Sequence, residues 1–285
     1  GKGSEFTITI PVQKSKNQKK PVPENPHPPT EKTDSLDLGN KKVLVVDDEP
    51  AQLALTLEFL KNHLLKFDTA ENGKKALELL GKNQYDLILT DIQMPIMDGF
   101  QLMNAIKKDK NLNKTPVIAL SGRTDMKDEV YTLTGFTAKL TKPFKPKDLL
   151  LSISEVFNVE TEIEEKPLIP KNDFTPKHNE FYNLEDIYMF SGQDKEAMHI
   201  IIKAFLESSQ ENIAKIIFHK KDKNYDAIGK IAHKMLPMFK QMRITPVIPV
   251  LERLEKKVEV SDTEIDELIQ QLQTVLRELE NEVTV

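Results

Sequence analysis

Cysteine is absent from all 285 residues, which excludes disulfides, thiolate metal sites and thiol redox chemistry and is compatible with a reducing cytoplasm. No run of about 18 apolar residues occurs, and the first residues lack a basic segment followed by an apolar one. The chain therefore reads as soluble, with neither a spanning helix nor a secretion signal. Strong positive charge is missing too: the net charge of −5 argues against a nucleic-acid partner. There is no Walker-type glycine loop and no kinase nucleotide site, so these residues are not expected to use ATP on their own.

What is present fits two folded units, each long enough to bury an apolar interior, at 39% hydrophobic and 30% charged residues. Residues 13–40 combine Lys, Pro and Asn with almost no large apolar side chains, a composition that cannot offset the entropy of folding, and read as a linker. A second break, VETEIEEKPLIPKNDFTPK at 159–177, is acidic and then Pro-punctuated, which sets a joint over 158–180. The folded units are then 41–157 and 181–285. No internal repeat is evident.

Between the linkers, short β-rich runs alternate with helical patterns: VLVV at 43–46, KFDTA at 66–70, DLILT at 86–90, VIAL at 117–120 and AKLT at 138–141. This alternation predicts an α/β, doubly wound, five-stranded parallel sheet with crossover helices. After residue 183 the apolar spacing changes to three and four with very few glycines, which predicts an all-α helical bundle.

In a doubly wound sheet, ligands sit beyond the carboxyl ends of the strands, where the loops converge. Here the first strand runs into Asp47-Asp48-Glu49, the third into Asp91, the fourth into Ser121 and the fifth into Lys142-Pro143. Carboxylates crowded at one edge repel one another and call for a hard cation; oxygen ligands with retained waters suit Mg²⁺. Such a cluster suits phosphoryl transfer to a carboxylate, with Asp91 attacking in line while Lys142, Ser121 and the metal hold the equatorial oxygens.

The segments VLVVDDEP, DLILTDIQMPIMDGF, ALSGR and TKPF resemble the receiver domain of response regulators, a flavodoxin-like fold, over about 115 residues. The resemblance implies that Asp48 and Asp91 ligate the metal directly, with the Gln93 carbonyl as a third ligand and Asp47 acting through water. It makes Asp91 the phosphoacceptor, Ser121 the switch hydroxyl and Lys142 the phosphate-binding lysine. Met94, Pro95, Asp98 and Gly99 fit the family's loop after the acceptor, with Asp98 suited to cap the next helix. One position departs: the family's aromatic switch residue, three before the lysine, is Lys139 here, and Phe136 is not at the matching place.

In the helical half, Ile228, Ile231, Ala232, Met235, Met238, Phe239 and Met242 gather on one helix face, and His233 points the other way. Its surface neighbours are Asp226, Gly229, Lys230, Pro237 and Lys240, with Gly229 expected to leave room for a flat partner and Pro237 to kink the axis. Periodicity alone does not prefer His233 over His199; His27, His63, His178 and His219 lie in the linker, at a helix end, at the joint and on a lysine-rich helix. The segments DKEAMHIIIKAFLESSQENI, NYDAIGKIAHKML, PVIPVLERLEKKV and DTEIDELIQQLQTVLRELENEV resemble the histidine phosphotransfer domain over about 100 residues. That resemblance singles out His233. The family's Ala-His-x-Leu-Lys-Gly reads Ala232-His233-Lys234-Met235-Leu236-Pro237, so its lysine and glycine are replaced by Leu236 and Pro237. Lys234, Lys230 or Lys240 is then left to supply the missing positive charge.

The opening GKGSEFTITIPV, residues 1–12, resembles the last strand of a histidine-kinase ATP-binding domain. Taken together, the resemblances imply the C-terminal part of a bacterial hybrid sensor histidine kinase. In this layout the fragment is cytoplasmic, makes no membrane contact and belongs to a membrane-anchored parent. A phosphohistidine on an upstream helix of that parent donates to Asp91, the group passes to His233, and a separate response-regulator receiver takes it on. Two other readings stand beside this one: a stand-alone response regulator whose helices are an effector, and a scaffold in which neither site turns over.

Overall fold

The computed structural model describes residues 41–122, 126–159, 176 and 178–284. The opening segment, the 13–40 linker and most of the second joint lie outside the described residues.

The β-rich runs form five strands, β1 (Lys42–Val46), β2 (Lys66–Ala70), β3 (Leu87–Asp91), β4 (Val117–Ser121) and β5 (Ala138–Thr141), in one parallel sheet of order β2-β1-β3-β4-β5. The crossovers are α1 (Pro50–Asn62), α2 (Gly73–Leu80), α3 (Gly99–Lys108) and α4 (Asp128–Thr134), and α5 (Pro146–Phe157) closes the sheet. This is the doubly wound arrangement that the alternation of patterns predicts. Helices start where capping chemistry places them: Asn72 accepts from the Lys75 N–H, Asp98 forms a capping box with Gln101, and Pro50 and Pro146 open α1 and α5.

Alternate strand residues face opposite layers. Leu44, Val46, Ile88 and Ala119 pack with Leu80, Leu102, Ile106 and Tyr131 of α2, α3 and α4. Val43, Val45, Leu87, Leu89 and Ile118 pack with Leu55, Phe59, Leu149 and Ile153 of α1 and α5. Burial on both faces explains why the central strands are continuous apolar runs.

Among the described residues the C-terminal part is helical, as expected: α6 (Glu185–Phe190), α7 (Lys195–Lys221), α8 (Tyr225–Gln241), α9 (Ile248–Glu255) and α10 (Asp262–Thr284). The apolar face of α8 turns inward, with Ile228, Ala232, Met235 and Phe239 buried and the Phe239 ring 4.9 Å from that of Phe205. Helix α8 runs on through Pro237. Gly229 has a different role from the one its surface position suggests. A methyl group there would stand 2.7 Å from the Leu254 carbonyl oxygen, so the glycine lets α9 lie close against α8.

Two separate cores are expected from the sequence, but the structure joins them. Helix α7 lies along α1, and the core on the α1/α5 side of the sheet continues into α6–α10. Phe190 marks the join, fully buried with its ring 6.2 Å from Phe59 and 6.0 Å from Phe144. Helix α1 is therefore covered on two sides, which accounts for its buried Gln52, Thr56 and Glu58 among apolar neighbours.

Candidate functional site

The carboxyl ends of β1, β3 and β5 bring Asp47, Asp91 and Lys142 together, all nearly closed to solvent. The Lys142 ammonium donates to Asp47 Oδ2 and to Asp91 Oδ1, each at 2.7 Å. The remaining oxygens are held by backbone: the Glu49 N–H donates to Asp47 Oδ1 at 2.9 Å and the Gln93 N–H to Asp91 Oδ2 at 2.8 Å. Gly99 makes the loop after Asp91 possible, since a methyl group on it would stand 2.5 Å from the Asp91 carbonyl oxygen.

Burial pushes the Asp47 carboxyl up to about 7, and the neighbouring Asp91 adds to this against the pull of Lys142. For Lys142, burial disfavours the ammonium, but the Asp47 and Asp91 carboxylates outweigh it and hold the group above its ordinary value. The edge is thus short of positive charge, with an all-oxygen donor set. Among the described residues no group of three Asp, Glu, His or Cys side chains converges in a metal-ligating arrangement. The reason is visible: Lys142 stands between Asp47 and Asp91, and Asp48 is drawn aside by Lys234 of α8. Asp47, Asp48, Asp91 and the Gln93 backbone still fit a hard divalent cation such as Mg²⁺ by donor chemistry and net charge.

Ser121 is fully buried at the end of β4, and its hydroxyl lies 2.9 Å from the Tyr131 hydroxyl on α4. Lys139 sits 4.8 Å over the Tyr131 ring and pairs with Asp128 at 2.9 Å; Phe100 and Phe136 pack around the same ring. An aromatic side chain thus reaches the Ser121 hydroxyl from α4, although none stands at position 139.

His233 faces out of its own bundle and toward the receiver site. A methyl group on Gly122, next to Ser121, would lie 3.5 Å from His233 Cε1 and 4.0 Å from Nε2. Between the two lies a cleft of about 940 Å³ whose walls include Gln93, Lys142, Gly122, His233, Lys234 and Glu255. His233 Nδ1 is 2.5 Å from Glu255 Oε1. A carboxylate only accepts, so this contact places a ring proton on Nδ1. The other two lysines near the histidine turn elsewhere, Lys230 to Asp226 at 3.1 Å and Lys240 to Glu252 at 2.5 Å. Lys234 alone of the three reaches across to the receiver half.

The sequence reading misses Glu255, Tyr131 and Ser208. Glu255 lies 22 positions from His233 on another helix, and no spacing rule links them. Ser208 of α7 donates to the buried Glu49, whose carboxyl burial raises against that bond. An aromatic on the helix after Ser121 is the one signal that a closer reading of the segment offers for Tyr131.

Residues 43–154 match the response regulator receiver domain. The heme response regulator HssR of Staphylococcus aureus is 39% identical over 114 residues, 40% of this chain and 50% of the regulator. The probable transcriptional regulator ycf29 of Porphyra purpurea is 26% identical over 203 residues, 67% of this chain and 95% of that protein. Hybrid signal transduction histidine kinase B of Dictyostelium discoideum is 35% identical over 137 residues, 43% of this chain; the chain spans 7% of that kinase and half of the heme regulator.

Proposed function

We propose, from the premise that residues 43–154 are a response-regulator receiver domain of two-component signalling, that the chain is a two-step phosphorelay unit. In it Asp91 accepts a phosphoryl group and His233, on a histidine phosphotransfer domain formed by α6–α10, takes it over. Receiver domains take phosphoryl groups from kinases and pass them on; the upstream phosphohistidine and the downstream receiver of this chain are part of the proposal, as is a hybrid histidine kinase parent. The observation that carries the reading is the placement of His233, with Nδ1 held by Glu255 and the Cε1–Nε2 edge of the ring beside Gly122, on a cleft whose walls also include Gln93 and Lys142.

In the first step a carboxylate oxygen of Asp91 bonds to phosphorus while the P–N bond of a donor phosphohistidine breaks and leaves a neutral imidazole. Lys142 and the Gln93 N–H, already on the two Asp91 oxygens, hold the carboxylate and oppose the charge that develops. Asp48, Asp91 and the Gln93 carbonyl, with Asp47 beside them, would hold a Mg²⁺ ion, which would supply charge neutralisation on the phosphoryl oxygens. In the second step the His233 Nε2 lone pair bonds to phosphorus as the acyl P–O bond breaks and Asp91 is restored. Glu255 stabilises the positive charge that the ring acquires.

The test is transfer of labelled phosphoryl from acetyl phosphate or a phosphorylated donor to wild type, Asp91→Asn and His233→Gln. Acid-labile label lost in both variants, with base-labile acyl phosphate retained in His233→Gln, supports the relay; label confined to Asp91 whatever stands at 233 refutes it. A second reading, an output effector in the helical half, draws on the regulator ycf29, whose 203 aligned residues extend beyond the receiver. It predicts that second outcome.

A further inference from the structure

Asp48 is the carboxylate of the receiver edge that Lys142 does not reach, and its side chain keeps only 8% of its surface exposed. Its partner is the ammonium of Lys234, the residue directly after His233 on α8. The next residue, Glu49, takes its hydrogen bond from Ser208 of α7. Two helices of the C-terminal half therefore place donors on consecutive acidic residues of the β1–α1 loop, and one of those donors is a cation.

An ammonium and a divalent cation cannot share one carboxylate closely. At short range, where water is largely excluded, their repulsion is strong, and each neutralises charge the other would use. We infer that Lys234 is a tethered rival of Mg²⁺ for Asp48, so that docking of the helical half and metal loading of the receiver oppose one another. This rests on reading the Asp48/Asp91 edge as a Mg²⁺ site. Linkage makes the effect reciprocal: the factor by which docked Lys234 weakens Mg²⁺ binding is the factor by which Mg²⁺ weakens docking.

The experiment is calorimetric titration of the full chain with Mg²⁺, for wild type, Lys234→Met, Lys234→Arg and Asp48→Asn, with amide hydrogen exchange of α7 and α8 followed at each end point. Lys234→Met keeps most of the aliphatic stem without the charge and is expected to bind Mg²⁺ about tenfold more tightly, within the usual range of coupling factors. Lys234→Arg is expected to stay near wild type. Mg²⁺ is expected to speed exchange in α7 and α8 of wild type and to have little effect in Lys234→Met. Equal affinities for wild type and Lys234→Met overturn the inference but leave the acceptor site standing, and so does a tighter Lys234→Met whose exchange responds to metal as wild type does. Absence of Mg²⁺ binding in every variant overturns the metal reading and the inference together.

Discussion

In the proposed relay, only one of the two ring nitrogens of His233 can meet phosphorus. Glu255 decides between them, because a carboxylate 2.5 Å from Nδ1 fixes the proton there. It is thus a positioning residue, and removing it should change the ring's tautomer as well as the rate. Glu255→Ala is expected to slow transfer from Asp91 to His233 by on the order of 10- to 100-fold, the usual scale for losing a histidine's orienting partner. Glu255→Gln, whose amide oxygen still accepts, should recover most of the rate, and ¹⁵N shifts of the ring should report the mixed tautomers of the alanine variant alone. Acceptance of phosphoryl by Asp91 should be the same in all three. The same pair shows how far residues speak for themselves. Asp47, Asp91 and Lys142 are legible because strand ends place them by rule, whereas Glu255 meets His233 only through the packing of α9 on α8, which no local pattern encodes.

At the scale of elements, α1 bears the heaviest structural demand, since it packs on the sheet and under α6 and α7 at once. Phe190 fills the join, and Phe190→Ala should cost about 3–5 kcal/mol, as large-to-small core changes with residual cavities do. Gly192 closes α6 at φ +67°, and a methyl group there would stand 2.6 Å from the Asn62 amide nitrogen of α1. Gly192→Val should therefore strain the backbone at this φ, and thermal melts followed by circular dichroism should show a lower midpoint than wild type. His63, at the end of α1, stacks 4.3 Å from the Phe59 ring and bonds the Phe59 carbonyl at 2.8 Å. Burial lowers its pKa below the ordinary 6.5 despite that bond. The unfolded chain then takes up the proton more readily, so stability is full above about 6.5 and falls as pH drops below it. Melting temperatures at pH 7.5 and 5.5 should differ less in His63→Gln than in wild type. Strand and helix types were legible from period and composition, and β2 and β5 fall where the pattern puts them. The ends of β3 and β4 extend one residue further, to Asp91 and Ser121, because pairing with neighbouring strands sets the boundary.

For the whole molecule, the sequence suggests two beads on a string, and the structure gives two halves with one continuous core. The composition of 158–180 predicts a joint, but composition says nothing about which surfaces meet across it. The face of α1 that α7 covers has a further consequence, best put as occupancy. A docking preference of about 2.7 kcal/mol leaves that face open about 1% of the time, and any outside helical pair needing it sees its dissociation constant raised by about 100-fold. The chain's own helices thus act as a resident occupant of the receiver. A visiting domain gains access in proportion to how often the resident steps aside, and not in proportion to its own intrinsic affinity alone.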